Sequence, residues 1–240
     1  MNKFAVLASA TAAIASAATT MAGPLLTISA NVGGYAPVTS TSNGTATATA
    51  GSYSYIGGVV SGFPMDWMIS WDLVGEDSAV QPKSMFVTNG FRVQNLTSSA
   101  KTFDITVALA SSPTLSGAPL VGTSLLGGTL ASNAAGSTAT LTSIGSLWTG
   151  QVNGTSCATS ALMNNAYVTT SATTSFGPSS GTWNGTIAGA LSSVGYRMQF
   201  TLGANSTAVF TGYWEVVPTP GALATLVFAG GLANRRRRTN

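Results

Sequence analysis

Six carboxylates, one thiol and no imidazole are what this chain offers for acid–base or nucleophilic chemistry. Without histidine it lacks the usual general base at neutral pH and the commonest zinc ligand. Serine and cysteine triads therefore have no base to complete them. No phosphate-binding loop occurs, and no dinucleotide fingerprint follows a strand. Paired acids are the remaining route, and glycosidase pairs stand about 5–10 Å apart. Asp66 and Asp72 share a strand face but lie six residues apart, about 20 Å in an extended chain. Asp72, Glu76 and Asp77 flank Gly75 and form the one candidate set of hard oxygen ligands for Ca²⁺. A solvated turn explains the same residues more simply. Asp104 and Glu215 read as single outward charges on strands. Cys157, the only cysteine, has no partner for an intramolecular disulfide and reads as a small buried hydrophobe. The expectation is a protein without cofactor, metal or enzymatic activity.

Aromatic residues could instead make a carbohydrate platform if exposed together. Trp148, Trp183 and Tyr213 are its candidates, since Trp67, Trp71 and Trp214 fall on apolar parities and point inward. Core packing is the simpler account of the three candidates as well.

The composition is that of a chain able to build a core, with a style of surface common outside cells. Only 6% of residues are charged and 45% are apolar. The polar remainder is mostly Ser, Thr, Asn and Gly, a hydroxyl and amide surface rather than a charged disordered one. The formal charge of +3 comes from the ends, Lys3 and Arg235 to Arg238. Between them stand Lys83, Arg92, Lys101 and Arg197 against six acids, a net charge of about −2 for the body, so no basic stripe exists for nucleic acid. Asn-x-Ser/Thr triplets at Asn43, Asn95, Asn153, Asn184 and Asn205 are expected by chance in a chain this rich in Ser and Thr.

The elements that must position these residues are strands. Residues 1–22 read as a secretory signal: Lys3, an apolar run from Phe4 to about Ala18, and small-residue cleavage candidates at Ala15-Ser16-Ala17 and Thr20-Met21-Ala22. Leu25 to Asn31 reads as a first strand, and Gly44 to Ala50 as an edge strand or loop. Tyr53, Tyr55 and Ile56 return the chain to the core. Met65, Trp67, Ile69, Trp71 and Leu73 alternate with polar residues, the period of a half-buried strand, and Gly75 to Ser78 reads as its closing turn. Met85, Val87, Phe91 and Val93 share a parity, as do Phe103, Ile105, Val107 and Leu109. These two runs read as a hairpin turning through residues 95–100. Its register pairs Val93 with Phe103 and sets Arg92 opposite Asp104. Strands also fit Pro119 to Leu130, Ser137 to Ile144, Leu147 to Val152 and Leu162 to Thr170, with a short helix around Ser156 to Asn165. A last hairpin joins the run Tyr196 to Leu202 with the run Ala208 to Val216 through Gly203 to Ser206. About ten short strands without a long helix predict an all-β protein, a single antiparallel β-sandwich of jelly-roll or immunoglobulin-like type over residues 23–216.

Residues 217–240 differ in kind. Val217-Pro218-Thr219-Pro220-Gly221 opens a short apolar run that ends in Arg235-Arg236-Arg237-Arg238. The 13 residues Gly221 to Ala233 would span about 20 Å as a helix, short of a bilayer core of about 30 Å. Four arginines would hold their end at the cytoplasmic face. This tail resembles the PEP-CTERM sorting signal of exopolysaccharide-producing Gram-negative bacteria, in the form V-P-x-P-G-A-L-A, with Thr219 where glutamate usually stands. The stretch from Ser175 to Val216 is more loosely similar to cargo domains that precede such tails. The resemblance implies export through the secretion translocon, transient inner-membrane contact, cutting by an exosortase-type enzyme near Pro218 to Gly221, and a final place at the cell surface or in the matrix. The mature protein is then expected to be structural or adhesive, with exopolysaccharide as a partner. The alternative is a secreted carbohydrate-binding module.

Overall fold

A computed structural model describes residues 23–61, 65–78, 83–110, 119–187 and 191–219, with the backbone alone at residues 78 and 83–87. The predicted signal peptide, and the tail from Pro220 onward with its expected helix, lie outside the described residues.

Two antiparallel sheets face each other. The first contains β1 (Leu25–Val32), β2 (Val38–Asn43), β7 (Lys101–Ala110), β9 (Ala139–Val152), β10 (Thr155–Ser156), β11 (Leu162–Asn164), β12 (Tyr167–Thr170) and β14 (Ser193–Leu202). Its order is β10-β9-β14-β7-β1-β2, with β11 and β12 also on β9. The second contains β3 (Thr45–Ala46), β4 (Ser52–Val60), β5 (Trp67–Ser78), β6 (Lys83–Asn95), β8 (Pro119–Ser132), β13 (Thr173–Thr186) and β15 (Ser206–Pro218). Its order is β13-β8-β15-β6-β5-β4-β3. The architecture is an all-β sandwich, as the alternation predicts.

The inner faces follow from period-two alternation. Leu26, Ile28 and Val32 of β1 meet Phe103, Ile105, Val107 and Leu109 of β7 in one layer. Trp67, Ile69, Trp71 and Leu73 of β5 meet Phe91, Val93, Phe210 and Trp214 in the other. All are buried. Aromatic rings join the layers. Tyr196 of β14 stacks on Trp148 of β9 with centroids 3.7 Å apart and meets Phe91 of β6 edge-on at 6.5 Å. Phe200 lies 5.2 Å from Phe210.

Two expected hairpins are instead crossovers between sheets. β6 pairs with β5 and β15, and β7 pairs with β1 and β14. Val93 therefore faces Ile69 and Ala208, and Phe103 faces Val32 and Phe200. Arg92 and Asp104 stand on opposite outer faces of the sandwich, not opposite each other. β14 and β15 are separated in the same way, so residues 203–205 arch across the core. Parity could not reveal this, because a hairpin and an arch both turn the apolar faces inward. A bulge at Asn89 and Gly90 also resets the parity of β6, so that Thr88 is buried on the inner side.

Smaller corrections have equally local causes. β5 runs on through Ser78, with Gly75 packed beneath Tyr55 and Leu109, so no turn closes at Gly75. Ile56 points outward and is 78% exposed. The two strands expected between Ser137 and Val152 form one, β9, interrupted by a bulge where Gly145 takes φ +69°. The helix expected near Cys157 shrinks to one 3-10 turn, Ala158–Ser160.

Candidate functional site

The outer face of the first sheet carries the strongest polar organisation. Ser29 of β1, Thr39 of β2, Asp104 and Thr106 of β7, Arg197 of β14 and Gln151 of β9 line a shallow trough of about 350 Å³. At its centre Arg197 grips Asp104 with two hydrogen bonds, Nε to Oδ1 at 2.8 Å and Nη2 to Oδ2 at 2.5 Å. Gln199 donates a third at 3.3 Å. The hydrogen bond to Asp104 raises the Arg197 pKa further. Both oxygens of Asp104 thus accept from Arg197, and Oδ2 accepts from Gln199 as well. What the trough offers a ligand is the remaining guanidinium edge, the amides of Asn31 and Gln151, and a row of hydroxyls. Such groups suit neutral polyhydroxylated or amide surfaces.

A second cleft opens at the sandwich rim, between β13 of one sheet and β9 and β10 of the other. It also encloses about 350 Å³ and is lined by Trp183, Ile187, Val152 and Cys157, with Asn153, Thr155, Ser156 and Thr186 as polar neighbours. Trp183 lies over Gly185, where any side chain would overlap its indole. The glycine lets the ring lie along its own strand and line the cleft. Asn153, at φ +51°, turns its side chain away to accept from the backbone N–H groups of Ser192 and Ser193 at 2.7 and 3.1 Å. That contact fixes the cleft floor to the start of β14.

The three candidate platform aromatics are not brought together. Trp148 is fully buried against Tyr196. Tyr213 pairs with Leu125 on the outer face of the second sheet, whereas Trp183 pairs with Gly122 and lies on the inner-face side of the rim. Of the three, Trp183 lines the rim cleft. Trp67, Trp71 and Trp214 point inward as expected.

The acids are dispersed too. Asp72, Glu76 and Asp77 lie along the extended β5, with Asp72 and Glu76 on its outer face and Asp77 on the other parity. Among the described residues no group of three acids or other ligands can hold a metal ion. The candidate Ca²⁺ set of Asp72, Glu76 and Asp77 lies along a strand where a turn would have gathered it. Asp66 accepts from the Tyr35 hydroxyl at 2.8 Å, and this bond raises the Tyr35 pKa. One juxtaposition escaped the sequence. Glu76 and Glu215 both register with Met85, from β5 and β15. They share an outer row with one strand between them, so their backbones lie about 10 Å apart. Long-range strand order put them there, and no local signal announces it.

Cys157 is buried at the cleft wall, and loss of hydration pushes its thiol up to about 12. The folded protein is expected to resist a maleimide at mildly alkaline pH and to label at once when denatured. Equal labelling of both states would show the thiol to be accessible. A raised thiol pKa favours the folded state fully below the ordinary value of 9.0, and this contribution fades as pH climbs toward about 12.

The chain matches no protein-family model and no curated protein.

Proposed function

We propose that this chain is an exported structural or adhesive domain of the cell surface or extracellular matrix, delivered by a PEP-CTERM-type signal over Val217 to Arg238. The observation that supports the reading is how the tail joins the body. β15 lies inside the second sheet, paired with β8 from Ser206 to Pro218 and with β6 from Ser206 to Val216. The hydrogen bonding continues one residue further, where Thr219 N–H donates to Pro119 C=O at 2.9 Å. Strand pairing thus runs past the expected boundary at 216, into the first residues of the proposed signal. A pull on the tail loads a strand laddered on both sides, which suits a protein held at a surface by its C-terminus. An exosortase-type enzyme that leaves the fold intact must cut after Thr219, because Val217 and Pro218 belong to the sheet. At the other end Gly23 N–H donates to Gly44 C=O at 3.0 Å, so the fold is ready to begin at Gly23. Mass spectrometry of protein recovered from exporting cells should find Gly23 as the first residue, a C-terminus at or beyond Thr219, and no Arg235 to Arg238. Mature protein that keeps the four arginines overturns the sorting reading.

The rim cleft supports a second reading, a carbohydrate contact at Trp183. An indole beside hydroxyl and amide groups offers the apolar face and polar partners that a sugar ring uses. Wild-type protein would be retarded in gels containing matrix polysaccharide, and Trp183→Ala would run unhindered. Equal mobility of the two proteins ends that reading.

A further inference from the structure

We propose that β4 is a self-pairing edge, through which two copies of this chain join antiparallel about a two-fold axis at Gly58. The argument starts from which backbone groups are unused. Ser61 N–H donates to Trp67 C=O at 3.1 Å, and Asp77 N–H donates to Gly51 C=O at 2.9 Å. Odd-numbered residues of β4 therefore turn their polar groups toward β5, and even-numbered ones turn theirs away. Ser52 N–H donates to Thr49 C=O and Ser52 C=O accepts from Thr47 N–H, while Ser54 pairs with β3. At Gly44 the chain leaves the second sheet for β2, so this cover ends. Among the described residues nothing pairs with the outer edge of Ile56, Gly58 and Val60. Three N–H and three C=O groups face outward in a row.

Among the described residues this edge has none of the usual protection. From Tyr55 to Val60 the sequence is Tyr-Ile-Gly-Gly-Val-Val, without charge and without proline. Natural edges are commonly blunted by lysine, proline or a covering loop. The two large side chains beside the open groups are also apolar and exposed, Ile56 at 78% and Val60 at 51%. Both lie on the outer face, in register with Asp72 and Met68.

The occupant follows from symmetry. The open window runs from residue 56 to residue 60 and is centred on Gly58. A second copy laid antiparallel on that centre sets Ile56 against Val60 of the partner, Gly58 against Gly58, and Val60 against Ile56. All three positions are hydrogen-bonded pairs, so the six outward groups of each copy are satisfied together. The Ile–Val contacts form on one face, on either side of a glycine pair that imposes no bulk. No charged side chain stands in the joined strands, so no like charges meet at the axis. A two-fold interface needs this kind of self-complementarity, and an unrelated partner strand would not require it. The buried surface is small beside the roughly 1,200 Å² of standard stable interfaces. The pairing is therefore weak in dilute solution and gains from crowding on a surface.

Sedimentation velocity of the purified full chain over a concentration series tests the pairing. Wild type should move from monomer to dimer as concentration rises. Ile56→Lys combined with Val60→Lys places lysine against lysine twice and should weaken association at least tenfold. Ile56→Lys combined with Val60→Glu places lysine against glutamate twice and should restore it at low salt. Both changes are on exposed side chains, and unchanged near-UV circular dichroism will show that the fold persists. A monomeric wild type at every concentration overturns the proposal and leaves the edge to a foreign strand or to solvent. Dimerisation of the double-lysine variant at wild-type strength also overturns it, and a monomeric Lys/Glu variant rejects the register about Gly58.

Discussion

Asn95→Asp is expected to destabilise the sandwich by about 3 kcal/mol or more at neutral pH, although the two side chains have nearly the same shape. Asn95 is fully buried where β6 ends. Its Nδ2 donates to the carbonyls of Ser99, Leu202 and Gly203 at 2.8, 3.0 and 2.8 Å, two hydrogens shared among three acceptors. Its Oδ1 accepts from Thr97 N–H at 3.1 Å and from the Thr97 hydroxyl at 2.8 Å. One amide thus ties the arch between β6 and β7 to the arch between β14 and β15. Aspartate keeps the acceptor but removes both donors, and it aims an anion at three carbonyl oxygens. The folded state will resist ionisation, so the introduced carboxyl will titrate above its unfolded value near 3.9. A raised acid pKa means that stability falls as pH rises from that value. The deficit should therefore be smallest in acid and grow toward neutrality. Asn95→Ala should cost roughly 2–4 kcal/mol with no such slope. Denaturant unfolding of both variants across pH will decide. If their midpoints coincide at every pH, the amide is not the tie described.

This network explains why the class of fold was legible and its connectivity was not. The alternation of Trp67 to Leu73, of Phe103 to Leu109 and of Tyr196 to Leu202 fixes which side chains are buried. It says nothing about which strand lies alongside, because both sheets share one core. The arches depend on contacts more than a hundred residues apart, such as Asn95 with Leu202 and Gly203. In the sequence the same residue reads as an Asn-x-Ser/Thr triplet, one of five. The hydroxyl bond between Thr88 and Tyr196, 3.0 Å long in the core, is hidden for a related reason. The bulge at Asn89 and Gly90 gives Thr88 its inward place, and an Asn-Gly pair inside a strand suggests a turn as readily as a bulge.

The polar sites were harder to read than the core. Arg197 was visible as the polar member of an apolar alternation, but its strand pairs with β7 and β9, not with β15 as the expected hairpin required. The expected partner of Asp104, Arg92, was one strand-pairing decision away. Trp183 was picked out for its ring, yet its cleft is built by β9, β10 and Ile187, and it is open because β13 is an edge. The alternation marks Ser137 to Val152 as strand, but it does not say that β13 comes to lie across the rim from it. Surface sites on a sandwich are made by strand order, which is the quantity that period-two patterns do not encode.

Trp214 illustrates the largest packing effect and the same limit. Its parity in β15 places it inside, but its fit depends on two glycines far away in sequence. Gly122 of β8 lies against the far ring of the indole, and a methyl there would overlap it. From the opposite sheet a methyl on Gly150 would come within 2.7 Å of the indole and 2.8 Å of Ser160 Oγ. The indole N–H then donates to Gln151 C=O at 3.0 Å, joining a strand of one sheet to a strand of the other. Trp67, Trp71 and Trp148 have no such partner among the described residues. Trp214→Leu should therefore cost about 3 kcal/mol, from lost ring volume and an orphaned carbonyl. Gly122→Ala should cost about 1–3 kcal/mol through overpacking. Together the two changes should cost clearly less than their sum, because the added methyl enters space that the shorter side chain vacates. The expected coupling is about 1–2 kcal/mol, read from denaturant midpoints of the wild type, the two single variants and the double variant. Additive costs would mean that the glycine is not there to admit the indole. A coupling of the expected sign would identify Trp214 and Gly122 as one packing unit, with the residue that fills the core and the residue that makes room for it on neighbouring strands.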